Sequence, residues 1–152
     1  MSLRKKALGL TVAFGFSALA SPLLAADEAE SIHVYKSPTC GCCSDWIDHL
    51  EDNGFDVKAT DTSDMGKIKA DAGLIAGLGS CHTAFVGDYV IEGHVPADDI
   101  KRLLSEAPDA TGLSVPGMPA GSPGMEMGDR KDPYKVILFN ENGQTRVFAE
   151  HN

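Results

Sequence analysis

The sequence predicts an α/β domain in which the elements follow as β-α-β-α-β-β-α, with a long loop and a β-hairpin after them. Three observations carry this expectation. Short runs of β-branched and aromatic residues alternate with runs whose apolar residues recur at helical spacing. Gly87-Asp88 is a two-residue hairpin signal between two of the short runs. A second pair of strand-like runs closes the chain around Asn140–Gly143.

Taken in order, Ile32–Tyr35 (IHVY) reads as the first strand, and Lys36–Thr39 with Pro38 as a turn. From Cys43, CSDWIDHLEDNG places Trp46, Ile47 and Leu50 on one helical face, with Gly54 as the stop. FDVKATD is the second strand and MGKIKADAG a short second helix. Thr83–Val86 and Tyr89–Ile91 form the hairpin, and Pro96 opens a third helix with Ile100, Leu103 and Leu104 on one face. This is the element order of a thioredoxin-like domain. Residues 108–133, rich in Met, Gly and Pro, read as a long loop without helical period. YKVILF and TRVFAE, within 134–150, complete the terminal hairpin. So long a loop inside a compact domain is more often functional than not.

Residues 1–26 have the pattern of a cleaved secretory signal. Arg4, Lys5 and Lys6 precede the uncharged apolar stretch Ala7–Leu24, and Ala25 and Ala26 lead into Asp27 and Glu28. A membrane anchor is the rival reading, since the stretch approaches spanning length; the alanines and the abrupt polar boundary favour cleavage. Residues 27–152 then make one domain with a real core. Processing takes the formal charge from −9 to −12. Such a surface argues against nucleic acid and suits cations or a basic partner, or simply keeps an exported protein in solution.

Three of the four cysteines lie in four positions, Cys40, Cys42 and Cys43, and the fourth is Cys81 in GSCHTAF. In an exported chain an even cysteine count ordinarily means disulfides, but Cys42 and Cys43 are adjacent and a vicinal bridge is strained. The strand-to-helix order puts Cys40–Cys43 at the carboxyl end of a strand and the start of a helix, where backbone N–H groups stabilise thiolates. Cys81, just before the third strand, is expected to face them. A CxxC at such a place serves thiol–disulfide exchange or a soft metal equally well. The extra sulfurs tilt the balance: they would scramble an exchange reaction, whereas Cu(I) accepts two or three sulfurs and shares bridging thiolates.

Met118, Met125 and Met127 all fall in the Gly/Pro-rich loop. They are either anchors for that loop or thioether ligands, which an oxidising compartment cannot convert to disulfides. His82, next to Cys81, is the best placed histidine for a ligand or proton carrier, and His94 in IEGHVP ends a strand near the same face. His49 reads as a surface or packing residue, and His33 and His151 as structural.

SPTCGCCSDWIDHLEDNGFDV, SCHTAFVGDYVIEGHVPADDIKRLL, GLSVPGMPAGSPGMEMG and PYKVILFNENG together resemble the CopG-like family of periplasmic copper-resistance proteins, over essentially the whole chain from Ile32. The resemblance implies a thioredoxin-like fold and a multinuclear Cu(I)–thiolate site with Cys40, Cys42, Cys43 and Cys81 as ligands. It also implies a role in copper detoxification or copper redox handling, with copper ions and other periplasmic copper-handling or efflux proteins as partners. True thioredoxins differ: Trp-Cys-Gly-Pro-Cys is absent, and Ser80–Thr83 stands where the proline loop belongs. The expected function is therefore an exported Cu(I) carrier, with Met118, Met125, Met127, His82 and His94 as further candidate ligands. The alternative is a thiol–disulfide oxidoreductase using Cys40 and Cys43.

Overall fold

The structure, a computed structural model, describes residues 29–152. The expected signal segment 1–26 lies outside the described residues. Among those described, no helix is long and apolar enough to cross a membrane.

The elements run β1 (Ser31–Lys36), α1 (Gly41–Asp52), β2 (Asp56–Asp61), α2 (Met65–Asp71), β3 (Thr83–Val86), β4 (Tyr89–Glu92), α3 (Ala97–Glu106), β5 (Gly112–Ser114), β6 (Tyr134–Phe139) and β7 (Thr145–His151). All seven strands join one mixed sheet in the order β2-β1-β3-β4-β5-β6-β7. β1 pairs parallel with β2 and β4 with β5; the other neighbours are antiparallel.

Two expectations need correcting. Residues 108–133 are not loop throughout, because Gly112–Ser114 is a strand lying between β4 and β6. The terminal hairpin is consequently the edge of the main sheet rather than an appendage. A three-residue strand is too short to show a period, which hid it. Gly112 is what admits it: a Cβ there would lie 1.8 Å from the Val90 carbonyl oxygen, far inside contact distance. The other correction is that α1 begins at Gly41, so that Cys42 and Cys43 lie inside its first turn.

Alternation along the strands sorts the two faces. Ile32 and Val34 of β1, Ile91 of β4 and Leu113 of β5 turn to one side, where they meet Trp46 and Leu50 of α1 and Ile100 and Leu103 of α3, all fully buried. Each such aliphatic side chain contributes about 1.5–3 kcal/mol relative to exposure. Val90 and Phe139 point the other way and pack with Ala72 and Leu78, which follow α2. Trp46 is also held by direction, since its Nε1–H donates to the Val95 carbonyl at 2.9 Å. The chain after β4 is thereby pinned to the cysteine-bearing helix.

Candidate metal centre

The site is assembled where β1 hands over to α1. Cys40 is the N-cap of α1 with extended backbone and no side-chain cap bond, and its N–H closes a turn onto the Ser37 carbonyl at 3.1 Å. The first-turn N–H groups lack intrahelical acceptors, and the positive end of the helix dipole favours negative charge at this end of α1. Cys40 and Cys43 are joined as a disulfide with Cα atoms 5.4 Å apart, while Cys42 and Cys81 are free. Cys42 Sγ lies 3.6 Å from Cys40 Sγ. One sulfur from each of the four cysteines falls within 4.8 Å of the others, so the two cysteine phrases do meet.

Cys81 also heads a second group. Its Sγ is 3.0 Å from His94 Nε2 and 3.3 Å from His82 Nδ1. Both imidazoles are fully buried, and His82 packs against Trp46 at 4.3 Å and edge-on to His94 at 4.9 Å between ring centroids. His94 Nδ1–H donates to the Pro123 carbonyl at 2.8 Å, which leaves the Nε2 lone pair facing Cys81. A carbonyl behind an imidazole in this way is what orients metal-ligating histidines. His82 Nε2 has no partner among the described residues.

Burial sets the protonation states. It pushes His82 down to about 3, with neighbouring His94 and Lys69 adding to the effect, and it also lowers His94. Both rings are therefore neutral near pH 7, the form in which imidazole donates a lone pair. Burial, followed by the charge of Cys42, pushes the Cys81 thiol up to about 11. Without a metal, Cys81 is a protonated thiol; a bound cation would take the place of its proton.

The methionine loop lies over both phrases. On one side Ser80 Oγ–H donates to the Gly117 carbonyl, and Gly117 N–H to that of Gly79, which sets Met118 next to the Cys81 segment. On the other side Gly124 lies directly on α1. A Cβ there would stand 2.7 Å from Trp46 N and 2.8 Å from the Cys42 carbonyl oxygen, at a φ of +79° that also favours glycine. Met125 is half-buried, whereas Met118 and Met127 are 54% and 60% exposed. These two thioethers are open to solvent rather than used to pack a core.

Sequence reasoning missed the groups behind the ligand candidates. Pro123 contributes a backbone carbonyl, which carries no side-chain signal. Glu92 and Lys69 meet only through folding. His49, read as a packing residue, accepts the Ala97 N–H on Nε2 at 3.1 Å and so caps α3.

Comparison with known proteins follows the same outline. The family described as "Protein of unknown function, DUF411" matches residues 78–125, from the Cys81 segment to the methionine loop. A solved structure named "Copper resistance protein copG- Form 2" is 48% identical, covering 82% of this chain and 100% of its own, with a TM-score of 0.79. Its companion, Form 1, is 49% identical, covering 82% of this chain and 98% of its own, with a TM-score of 0.78. No curated protein matches the chain.

Proposed function

Because this chain belongs to the CopG-like copper-resistance family, we propose that it is an exported, periplasmic protein that carries Cu(I) on a cluster of thiolates. The observation that carries the reading is the convergence of four sulfurs within 4.8 Å at a helix start. Thiolates select Cu(I), and sulfurs so close can each bridge two ions, which makes a multinuclear site the natural outcome. Two-electron reduction of the Cys40–Cys43 disulfide by an external thiol reductant, itself oxidised to a disulfide, frees both sulfurs and completes the set, and opening and closing of that bond couples copper holding to thiol redox state. Cys81 is shared with His94, whose free Nε2 supplies a nitrogen donor, and His82 Nδ1 lies 3.3 Å from the same sulfur. The exposed thioethers of Met118 and Met127, with Met125 beside them, capture the ion and pass it inward.

The domain reading belongs to the same proposal: residues 1–26 are removed as a signal, and 27–152 form one thioredoxin-like unit carrying residues 108–133 as its methionine segment. Its partners are copper ions and periplasmic copper-handling or efflux proteins; nucleic acid has no place on so acidic a chain.

The disulfide between Cys40 and Cys43 favours one other reading, a thiol–disulfide oxidoreductase. Anaerobic Cu(I) titration of the reduced mature protein, run beside turnover on a disulfide substrate, separates the two. The carrier takes up more than one Cu(I) per chain, loses capacity in Cys42→Ser although the CxxC pair survives, and turns over slowly. A single equivalent unchanged in Cys42→Ser, with robust turnover abolished by Cys40→Ser, establishes the oxidoreductase instead.

A further inference from the structure

Glu92 ends β4 with its side chain fully buried. A carboxylate taken out of water needs its lone pairs occupied. Oε1 accepts the Ser80 backbone N–H at 2.6 Å and the Lys69 ammonium, and Oε2 accepts the Thr83 hydroxyl at 2.7 Å. Lys69 also donates to Thr83 Oγ1 at 3.1 Å. α2 buries none of its own residues, so Lys69 is its polar tie to the sheet. Buried ion pairs of this kind are poor stabilisers compared with apolar residues of equal volume, so stability does not account for this one.

Location does. The Ser80 amide immediately precedes Cys81, in a stretch before β3 that belongs to no strand. The Ser114 hydroxyl holds the Leu78 carbonyl, Gly93 N–H holds that of His82, and Gly117 holds Gly79 and the Ser80 hydroxyl. The Ser80 N–H itself is held by Glu92. We propose that Glu92, with its charge balanced by Lys69, is a positioning residue for Cys81. It locks the peptide ahead of that cysteine so that Sγ faces the α1 sulfurs and His94. The functional meaning rests on the copper reading above; the geometry stands without copper.

Two double variants of the full chain isolate the Ser80 bond from the buried charge. In Lys69→Met/Glu92→Gln the amide oxygen still accepts from Ser80 N–H, and its NH2 donates to the Thr83 oxygen that Lys69 vacates. In Lys69→Met/Glu92→Met the volume is kept and the acceptor is gone. Cys81 alkylation is followed by iodoacetamide in a Cys42→Ser background with the Cys40–Cys43 disulfide intact, where Cys81 is the one free thiol. Cu(I) affinity is measured on the reduced proteins, Cys42 present, against a chromophoric chelator.

The Gln pair is expected to match the parent in both readouts. The Met pair is expected to alkylate several-fold faster and to bind Cu(I) about tenfold more weakly, a loss of about 1.4 kcal/mol. Equal alkylation in the two pairs overturns the proposal. If alkylation separates them while even the parent fails to bind Cu(I), the positioning role stands and the copper reading falls. Should the Met pair not fold, amide exchange in the parent decides: Ser80 N–H is expected to exchange as slowly as the β3 amides, and an unprotected Ser80 sinks the idea.

Discussion

Cys81 and His49 show how one neighbour changes the task of a side chain. Cys81 is held protonated by burial, and its two imidazole neighbours are held neutral by the same cause. His49 lies about two turns farther along α1 than Cys42, and its chemistry is structural. It caps α3 through a lone pair that exists only in the neutral ring, and burial lowers its pKa from the ordinary value of 6.5, against the opposing pull of Glu126, Asp98 and Asp52. A pKa lower in the folded protein than in the unfolded chain means that the unfolded chain binds the extra proton. The contribution is therefore complete above pH 6.5 and lost as the pH falls through the folded value. His49→Ala is expected to cost about 0.5–1.5 kcal/mol at pH 7.5. The gap between parent and variant should narrow toward pH 5 in parallel denaturant titrations. A gap independent of pH would mean that His49 acts only by packing. That His49 lies on the first helix was plain from its position three residues after Trp46; that it caps a helix 48 residues on was not.

At the scale of elements, the methionine segment is the one part whose purpose the fold leaves partly free. Gly117 and Gly124 fasten it to the two cysteine phrases, while Met118 and Met127 stay exposed. A side chain more than half in water adds little to packing, so replacing Met118, Met125 and Met127 together with Leu should leave the thermal midpoint nearly unchanged. The Leu variant is expected to load the cysteine site normally but to transfer copper to an acceptor chelator more slowly, or to hold one ion fewer. Stopped-flow transfer and metal analysis test this. Identical transfer and stoichiometry would show that the thioethers do no more than line the loop. The helices and hairpins were legible because each spans enough residues to display its period. β5 was not, because what makes Gly112–Ser114 a strand is the pairing of its backbone with two distant neighbours.

For the molecule as a whole, β5 is the joint between the half bearing the cysteines and the terminal hairpin. Its parallel pairing with β4 and antiparallel pairing with β6 make one sheet of two parts. Gly112→Val inserts a branched side chain where even a Cβ collides with the Val90 backbone. The expected loss exceeds about 3 kcal/mol in chemical denaturation, with the amides of β6 and β7 losing exchange protection before those of β1 and β3. Uniform loss across all strands would show that the two parts unfold as a unit.

By itself the sequence determined the local chemistry: a CxCC phrase at the opening of a helix, a lone cysteine before a strand, thioethers in a segment with no period, and the alternation that marks core strands. These follow from spacing and side-chain type, which are properties of neighbouring residues. The tertiary structure alone decided the rest. It brought four sulfurs within 4.8 Å, turned the His94 lone pair toward Cys81 by giving its other nitrogen to Pro123, and set Glu92 behind the Ser80 amide. Each of these depends on contacts between residues far apart in the chain, and such contacts exist only once the sheet has assembled and excluded water from between its elements.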